Sequence, residues 1–298
     1  MTNIPYLDEV WNLTRGCTKV SAGCAHCYAE RITQRFWRGP KGMSFNGAID
    51  VSTVEKALDK PLHWRKPRRV GLCFMSDLFH EKVPDEFLDK VFAVMALTPQ
   101  HTYLLLTKRP ERMRGYLVGL ATDVQNWPLP TDKGSERIRV ATIIRSVATW
   151  PLPNVWLGVS VENQQAADER IPLLLDTPAA HRWLSVEPLL GAVDLRRVSP
   201  GLLGTSAIFD ALGGRRWEDN GETLNATACA RLDWVVVGGE SGPKARTMDV
   251  EWMSDLQQQC LSADVPFYCK QDSGPRPGMQ GRILDALWAV KQLPGGWA

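Results

Sequence analysis

Residues 11–30, Trp11-Asn-Leu-Thr-Arg-Gly-Cys17-Thr-Lys-Val-Ser-Ala-Gly-Cys24-Ala-His-Cys27-Tyr-Ala-Glu30, place three of the chain's seven cysteines within eleven residues. Clustered thiols in a reducing compartment serve metal or redox chemistry, and thiolates in a glycine-punctuated loop can converge on one soft metal centre. Three are too few to close a site. A structural zinc takes four ligands, and a fully ligated cubane iron–sulfur cluster takes four thiolates. Cys17, Cys24 and Cys27 are therefore expected to hold a cluster with one iron left open.

On either side of this loop a short apolar strand ending in polar residues recurs, usually followed by a helical pattern. A first strand is expected near Val10 to Thr14, and the loop then enters a helix from about Ala25 to Phe36 carrying Arg31, Gln34, Arg35 and, just beyond, Arg38. Val70-Gly-Leu-Cys-Phe-Met75 leads to Ser76-Asp77 and to an amphipathic helix over Asp85–Leu97, with Leu88, Val91, Phe92 and Met95 on one face. Further strands are Tyr103–Leu106, Val155–Val159, Arg182–Val186, Trp234–Val237 and Pro266–Cys269, with helices over Gln164–Leu175 and Val250–Ser262. Strands alternating with helices predict an α/β fold with a parallel sheet. Six or seven such units predict a partial TIM-like (β/α) barrel, one domain over residues 1–298. Residues 117–153, with Asn126-Trp-Pro-Leu-Pro130 and Trp150-Pro-Leu-Pro153, and the Gly-rich residues 192–232, with Gly213-Gly-Arg-Arg-Trp217, break the rhythm and read as insertions. Long connections are often functional, so each either covers the barrel mouth or decorates its edge. Residues 274–298 form an extension, with a short helix over Arg282–Val290 packing across one barrel end.

A parallel β/α barrel carries its active site at the carboxyl ends of the strands. That rule gathers Ser76, Asp77, Lys108, Arg109, Ser160, Glu162, Asn163, Glu187, Glu240, Ser241, Lys270 and Gln271 towards one rim.

Composition is that of a soluble globular protein, with 44% hydrophobic and 23% charged residues. No apolar run reaches membrane length, and Met1-Thr-Asn-Ile-Pro has no signal-peptide character, so a cytoplasmic location without disulfides is expected. The net charge of +2 hides an asymmetry: residues 1–116 hold 18 Lys and Arg against 12 Asp and Glu, and the rest hold 17 against 21. In the basic half, Lys60-Pro-Leu-His-Trp-Arg-Lys-Pro-Arg-Arg69 interleaves five cations with Trp64 and His63. Trp64, Arg65, Lys66, Arg68 and Arg69 suit phosphate contact with base stacking, or form a solvated loop before a strand.

The C-x6-C-x2-C spacing, with His26 before the last cysteine and Tyr28 after it, resembles the cluster loop of radical S-adenosylmethionine (radical SAM) enzymes, whose commonest form is C-x3-C-x2-C. The words Trp11-Asn12, Gly16–Ser21, Ser76-Asp-Leu-Phe-His80, Thr107-Lys-Arg-Pro110, Gly158-Val-Ser-Val-Glu-Asn163, Ser185-Val-Glu-Pro188 and Gly238-Gly-Glu-Ser241 resemble a phage and bacterial family of unknown function usually grouped with them. A more distant likeness is to spore photoproduct lyase. The resemblance implies a [4Fe-4S] cluster on Cys17, Cys24 and Cys27, with SAM on the open iron, cleaved reductively to a 5′-deoxyadenosyl radical. A reductant such as flavodoxin or ferredoxin would supply the electron. His26 would pack near the adenine, Ser76 and Asp77 would take the methionyl amine, Lys108 or Arg109 a carboxylate or phosphate, and Ser160 and Glu162 the ribose. Gly238, Gly239 and Glu240, with Glu187, fall between adenosine and substrate. Together with the basic half, it implies hydrogen abstraction from a thymine-type base, in phage or bacterial DNA or as a nucleotide, by an isomerase, lyase or base-modifying enzyme.

A second class of reading stays open beside this one: a zinc-stabilised nucleic-acid-binding module, its fourth ligand His26 or one of Cys73, Cys229, Cys260 and Cys269. Those four cysteines sit in or beside apolar segments and read as core. Asp77 suits a cap, Lys108-Arg109 a helix start, Gly238-Gly239 a tight turn, and His80 and His101 surface or packed positions.

Overall fold

The structure, a computed structural model, describes residues 4–36, 51–126, 136–147, 149–201, 207–219 and 224–295. In chain order the elements are β1 (Glu9–Trp11), β2 (Thr14–Arg15), α1 (Tyr28–Phe36), β3 (Ser52–Thr53), β4 (Arg69–Leu72), α2 (Asp85–Leu97), β5 (Thr102–Thr107), α3 (Pro110–Asn126), α4 (Glu136–Val147), β6 (Val155–Ser160), α5 (Gln164–Leu175), β7 (His181–Val186), β8 (Ile208–Asp210), β9 (Arg215–Asp219), β10 (Leu224–Ala228), β11 (Trp234–Gly238), α6 (Val250–Ser262), β12 (Phe267–Gln271) and α7 (Asp285–Trp288). The fold is mixed α/β. A seven-stranded sheet runs in the order β1-β4-β5-β6-β7-β11-β12, with β1/β4, β4/β5, β7/β11 and β11/β12 parallel. No described helix is long and apolar enough to cross a membrane.

The chain divides into two compact units: Met1–Val20 with Ala29–Leu157 and Thr177–His181, and Ser21–Tyr28 with Gly158–Asp176 and Arg182–Ala298. In the first, the strand expected at residues 10–14 is two strands: β1 joins the main sheet, and β2 pairs antiparallel with β3. Trp11 is fully buried, its indole N–H donating to the Ala57 carbonyl at 2.6 Å and its ring 5.8 Å from Tyr103. Helix α2 has the expected bounds. Its buried set extends beyond one stripe, to Phe87, Ala93, Val94 and Ala96, because α4 packs against it. Residues 117–153 therefore include the end of α3 and all of α4, and they cover α2. Of Asn126-Trp-Pro-Leu-Pro130, all but Asn126 lies outside the described residues, as does Arg38.

In the second unit, β11 is buried along its whole length. Trp234 lies 5.6 Å from Trp183 and 6.1 Å, edge-on, from Tyr268, while α6 contributes Met253, Leu256 and Cys260. Between β7 and β11 the chain forms no described helix. Residues 208–228 hold an antiparallel sheet, β10-β9-β8, whose first turn is fixed by Asp210 Oδ1 accepting from the Leu212 and Gly213 amides. The expected C-terminal helix shortens to α7, and the tail runs beside β12: the Cys269 amide donates to the Val290 carbonyl and the Gln292 amide to the Phe267 carbonyl. A sheet edge is thus covered by the chain's own backbone.

Gly158 shows how closely this unit is packed. A Cβ there would lie 2.4 Å from the indole nitrogen of Trp183. Gly158→Ala is expected to lower stability by about 1–3 kcal/mol, the usual cost of overpacking, measured by urea unfolding; an unchanged midpoint would mean that the Trp183 ring has room to move.

Candidate functional site

The cysteine stretch is held differently in each unit. In the first, Asp77, buried five residues after β4, accepts on Oδ1 from the Thr107 hydroxyl (2.8 Å) and the Phe79 amide (3.0 Å). Its Oδ2 accepts from the Lys108 amide (3.2 Å) and Arg109 Nη1 (3.0 Å). So fixed, Arg109 reaches the cysteine stretch. Nη2 donates to the Thr18 carbonyl (3.0 Å) and hydroxyl (2.7 Å), and Nη1 lies 3.6 Å from Cys17 Sγ. Burial pulls the Arg109 pKa down, but Asp77 and Cys17 outweigh it and the pKa is raised. A guanidinium beside sulfur favours the thiolate.

His80 completes this network from a fully buried position. Its Nδ1 takes the Lys82 amide at 3.2 Å and lies 3.4 Å from the Glu81 carboxylate, while its Nε2 shares a hydrogen bond with the Thr18 hydroxyl at 3.0 Å. Burial, and then Arg109, push its pKa down, in keeping with the neutral ring.

In the second unit, residues 21–28 are held by two carboxylates. Glu162, two residues past β6 and 1% exposed, accepts on Oε1 from the Ser21 hydroxyl and from the Gly23 amide (3.1 Å), and on Oε2 from Arg170 of α5 (2.8 Å). Gly23 is required by that approach, since a Cβ would stand 2.4 Å from Glu162 Oε1. Glu240, 5% exposed, accepts from His26 Nδ1 (2.8 Å), from the Arg246 amide (2.8 Å) and from the Arg246 guanidinium at 2.5 and 3.1 Å. Arg246 Nη1 in turn donates to the Ala22 carbonyl at 3.0 Å. Burial raises the Glu240 pKa, but the bonds from Arg246 and His26 outweigh it and hold it at about 2.

The Ser76 hydroxyl bonds with the Thr14 hydroxyl (2.5 Å) and donates to the Thr14 carbonyl (3.0 Å). Ser160 donates to the Glu187 carbonyl at 3.1 Å, and the half-buried Glu187 carboxylate takes both its bonds, 2.6 and 2.8 Å, from Lys270. Asn163 caps α5, accepting from the Ala166 amide. The Gly238 and Gly239 turn has its own packing reason, because a Cβ at Gly239 would meet the Ser273 amide at 2.3 Å. In the basic segment, Arg68 pairs with Glu9 (2.7 Å) and lies over the Trp64 ring, Arg69 pairs with Asp8 (3.1 Å), and Trp64 packs edge-on against His101. Arg65 and Lys66 stay exposed. This segment enters β4 at its amino end, opposite the end that leads to Asp77.

Thr18, Ser21, Arg170 and Arg246 carry these networks and were not singled out by sequence. One signal existed. Arg170 shares the buried face of α5 with Ala167, Ile171 and Leu174, and an arginine on an apolar stripe calls for a buried acid.

None of the seven cysteines is in a disulfide, and Cys17, Cys24 and Cys27 are half-buried. Among the described residues no three His, Cys, Asp or Glu groups stand close enough together to hold a metal ion. The donor chemistry of the stretch, three thiols with a guanidinium beside the first, suits a soft metal group. Cys73, Cys260 and Cys269 are buried, and burial pushes their thiols up, Cys260 to about 12 and Cys269 to about 11. They are poor thiolates and behave as core residues.

The low Glu240 pKa has a definite sign in folding. A carboxylate depressed from 4.5 to about 2 adds stability that is full above pH 5 and fades as pH falls from about 4.5 through 2. Glu240→Gln should therefore cost on the order of 2 kcal/mol at pH 7, allowing for solvent at Arg246, with the gap to the parent closing below pH 3. Urea unfolding at pH 7, 4 and 3 measures it; a gap constant with pH would place the stabilising charge elsewhere.

No curated protein and no solved structure matches the chain. One family profile does, over residues 1–286. That family is described only as a protein of unknown function (DUF5131), and the chain belongs to it.

Proposed function

We propose that the chain is a radical SAM enzyme that abstracts a hydrogen from a nucleobase, thymine-type, in DNA or in a nucleotide. The observation that carries the reading is how the C-x6-C-x2-C stretch is held: Arg109 on Thr18 and beside Cys17, Glu162 on Ser21 and Gly23, Arg246 on Ala22. Backbone leading into Cys24 and the His26 ring just after it are held by charged groups, as a loop that must present sulfurs to a reactive centre requires. A second support is the strand order, which adds each sheet strand at the same edge without reversal, as a partial β/α barrel does.

Cys17, Cys24 and Cys27 would hold the [4Fe-4S] cluster, which with SAM supplies one-electron cleavage and the hydrogen abstraction. The protein's own residues then have distinct tasks. Arg109 stabilises Cys17 as thiolate and is itself oriented by Asp77. Glu162 and Glu240 are positioning residues for residues 21–26, rather than direct SAM contacts. Ser76, Lys108 and Ser160 stay as candidates for SAM, and the Glu187–Lys270 pair, at 21% and 17% side-chain exposure, for SAM or substrate. An electron from a flavodoxin or ferredoxin completes the chemistry, and a base in duplex DNA would have to be flipped out to reach it.

Anaerobic purification followed by iron and sulfide analysis is the test, with electron paramagnetic resonance of the reduced protein before and after SAM. The expected result is about four irons and four sulfides per chain and a spectrum that shifts with SAM, with both lost in Cys24→Ala. Stoichiometric zinc with no cluster after reconstitution would sink the reading and favour a zinc-stabilised binding module.

A further inference from the structure

The first unit contains a cavity of about 430 Å3 that the networks above do not account for. Its volume falls within the roughly 300–1,000 Å3 of small-molecule sites. Arg15 lines it from β2, Ile32 and Thr33 from α1, Lys56 and Lys60 from the turns after β3, and Met75 from the segment after β4. Three of these carry positive charge, and among the described residues no carboxylate lines the cavity. Thr33 adds an independent sign. It is 2% exposed, and its hydroxyl has no hydrogen-bond partner among the described residues. A buried hydroxyl left unpaired in a cationic cavity marks the place of an acceptor that the described residues do not provide.

We infer that this cavity binds the phosphate of a nucleotide. A phosphate offers only acceptors. Arg15, Lys56 and Lys60 neutralise it, the Thr33 hydroxyl donates to it, and Ile32 and Met75 form the apolar wall against which base or sugar lies. The phosphate site rests on the cavity alone, while the choice of a thymine nucleotide as the ligand rests on the function proposed above. Arg15 is two residues from Cys17 in the chain, so the site would anchor the substrate close in sequence to the cysteine stretch.

Isothermal titration calorimetry on the full-length protein tests it, with thymidine 5′-monophosphate, thymidine and 5′-phosphorylated tetrathymidylate as probes. Thymidine should bind at least tenfold more weakly than its monophosphate, and Lys56→Ala, Lys60→Ala and Thr33→Val should each weaken the monophosphate by about tenfold, the value of one charge-assisted hydrogen bond. Thr33→Val keeps the side-chain volume, and its thermal melt serves as the folding control. Tighter binding of the tetranucleotide assigns the phosphate to a DNA strand, and weaker binding assigns it to a free nucleotide; both keep the site. Equal binding of thymidine and its monophosphate, or monophosphate affinity unchanged in the two lysine variants, overturns it. No cysteine lines the cavity, so protein that fails to take up iron still reports on phosphate binding, and the two failures are separable.

Discussion

A carboxylate 1% exposed is costly unless each oxygen is matched by a donor. Glu162 meets that condition with Arg170 on one oxygen and the Gly23 amide and Ser21 hydroxyl on the other. The arrangement is demanding: it needs α5 in a register that brings Arg170 back to the end of β6, and a residue at 23 with no side chain. Arg170 also donates to the Ser160 carbonyl at 2.6 Å, so the same guanidinium fixes the strand end that carries the acid. Removing either partner would leave an unpaired buried charge, a loss of about 3–5 kcal/mol in comparable pairs.

Glu240 repeats the device with different parts. Its arginine comes six residues later in the chain, and through Arg246 the constraint reaches the carbonyl of Ala22. In the other unit the polarity is reversed: Asp77 is the fixed acid, but Arg109 makes the contact with Thr18 and Cys17. Each case places a charged pair between a strand end and the cysteine stretch; in the second unit Glu162 meets the Gly23 amide and Ser21 hydroxyl, and Glu240 meets the His26 ring.

Periodicity made the long elements legible. The helices over Asp85–Leu97, Gln164–Leu175 and Val250–Ser262 have the bounds that their apolar spacing implies, and β5, β6, β7, β11 and β12 run into the polar residues that marked them, while β1 and β4 stop at Trp11 and Leu72, short of theirs. Sequence did not reveal β8, β9 and β10, because Arg215-Arg-Trp-Glu-Asp219 offers no apolar alternation. It also treated α2 as having one buried face, since the second depends on α4, whose packing is a long-range fact. At the site, the cysteine stretch and the acids were visible as residue types. Which acid meets which arginine was not, because pairs such as His26 with Glu240 are set by topology across more than two hundred residues.

The ties on Ser21, Ala22 and Gly23 run to oxygen and nitrogen atoms, not to sulfur. In small metal-dependent domains, by contrast, the metal supplies the folding free energy and the apo chain is unstructured. Here the shape of the segment leading into Cys24 is specified by hydrogen bonds to charged side chains, whatever the thiols bind. A ligand taken up by these thiols would add to that shape rather than create it, and its loss would leave residues 21–23 held as they are.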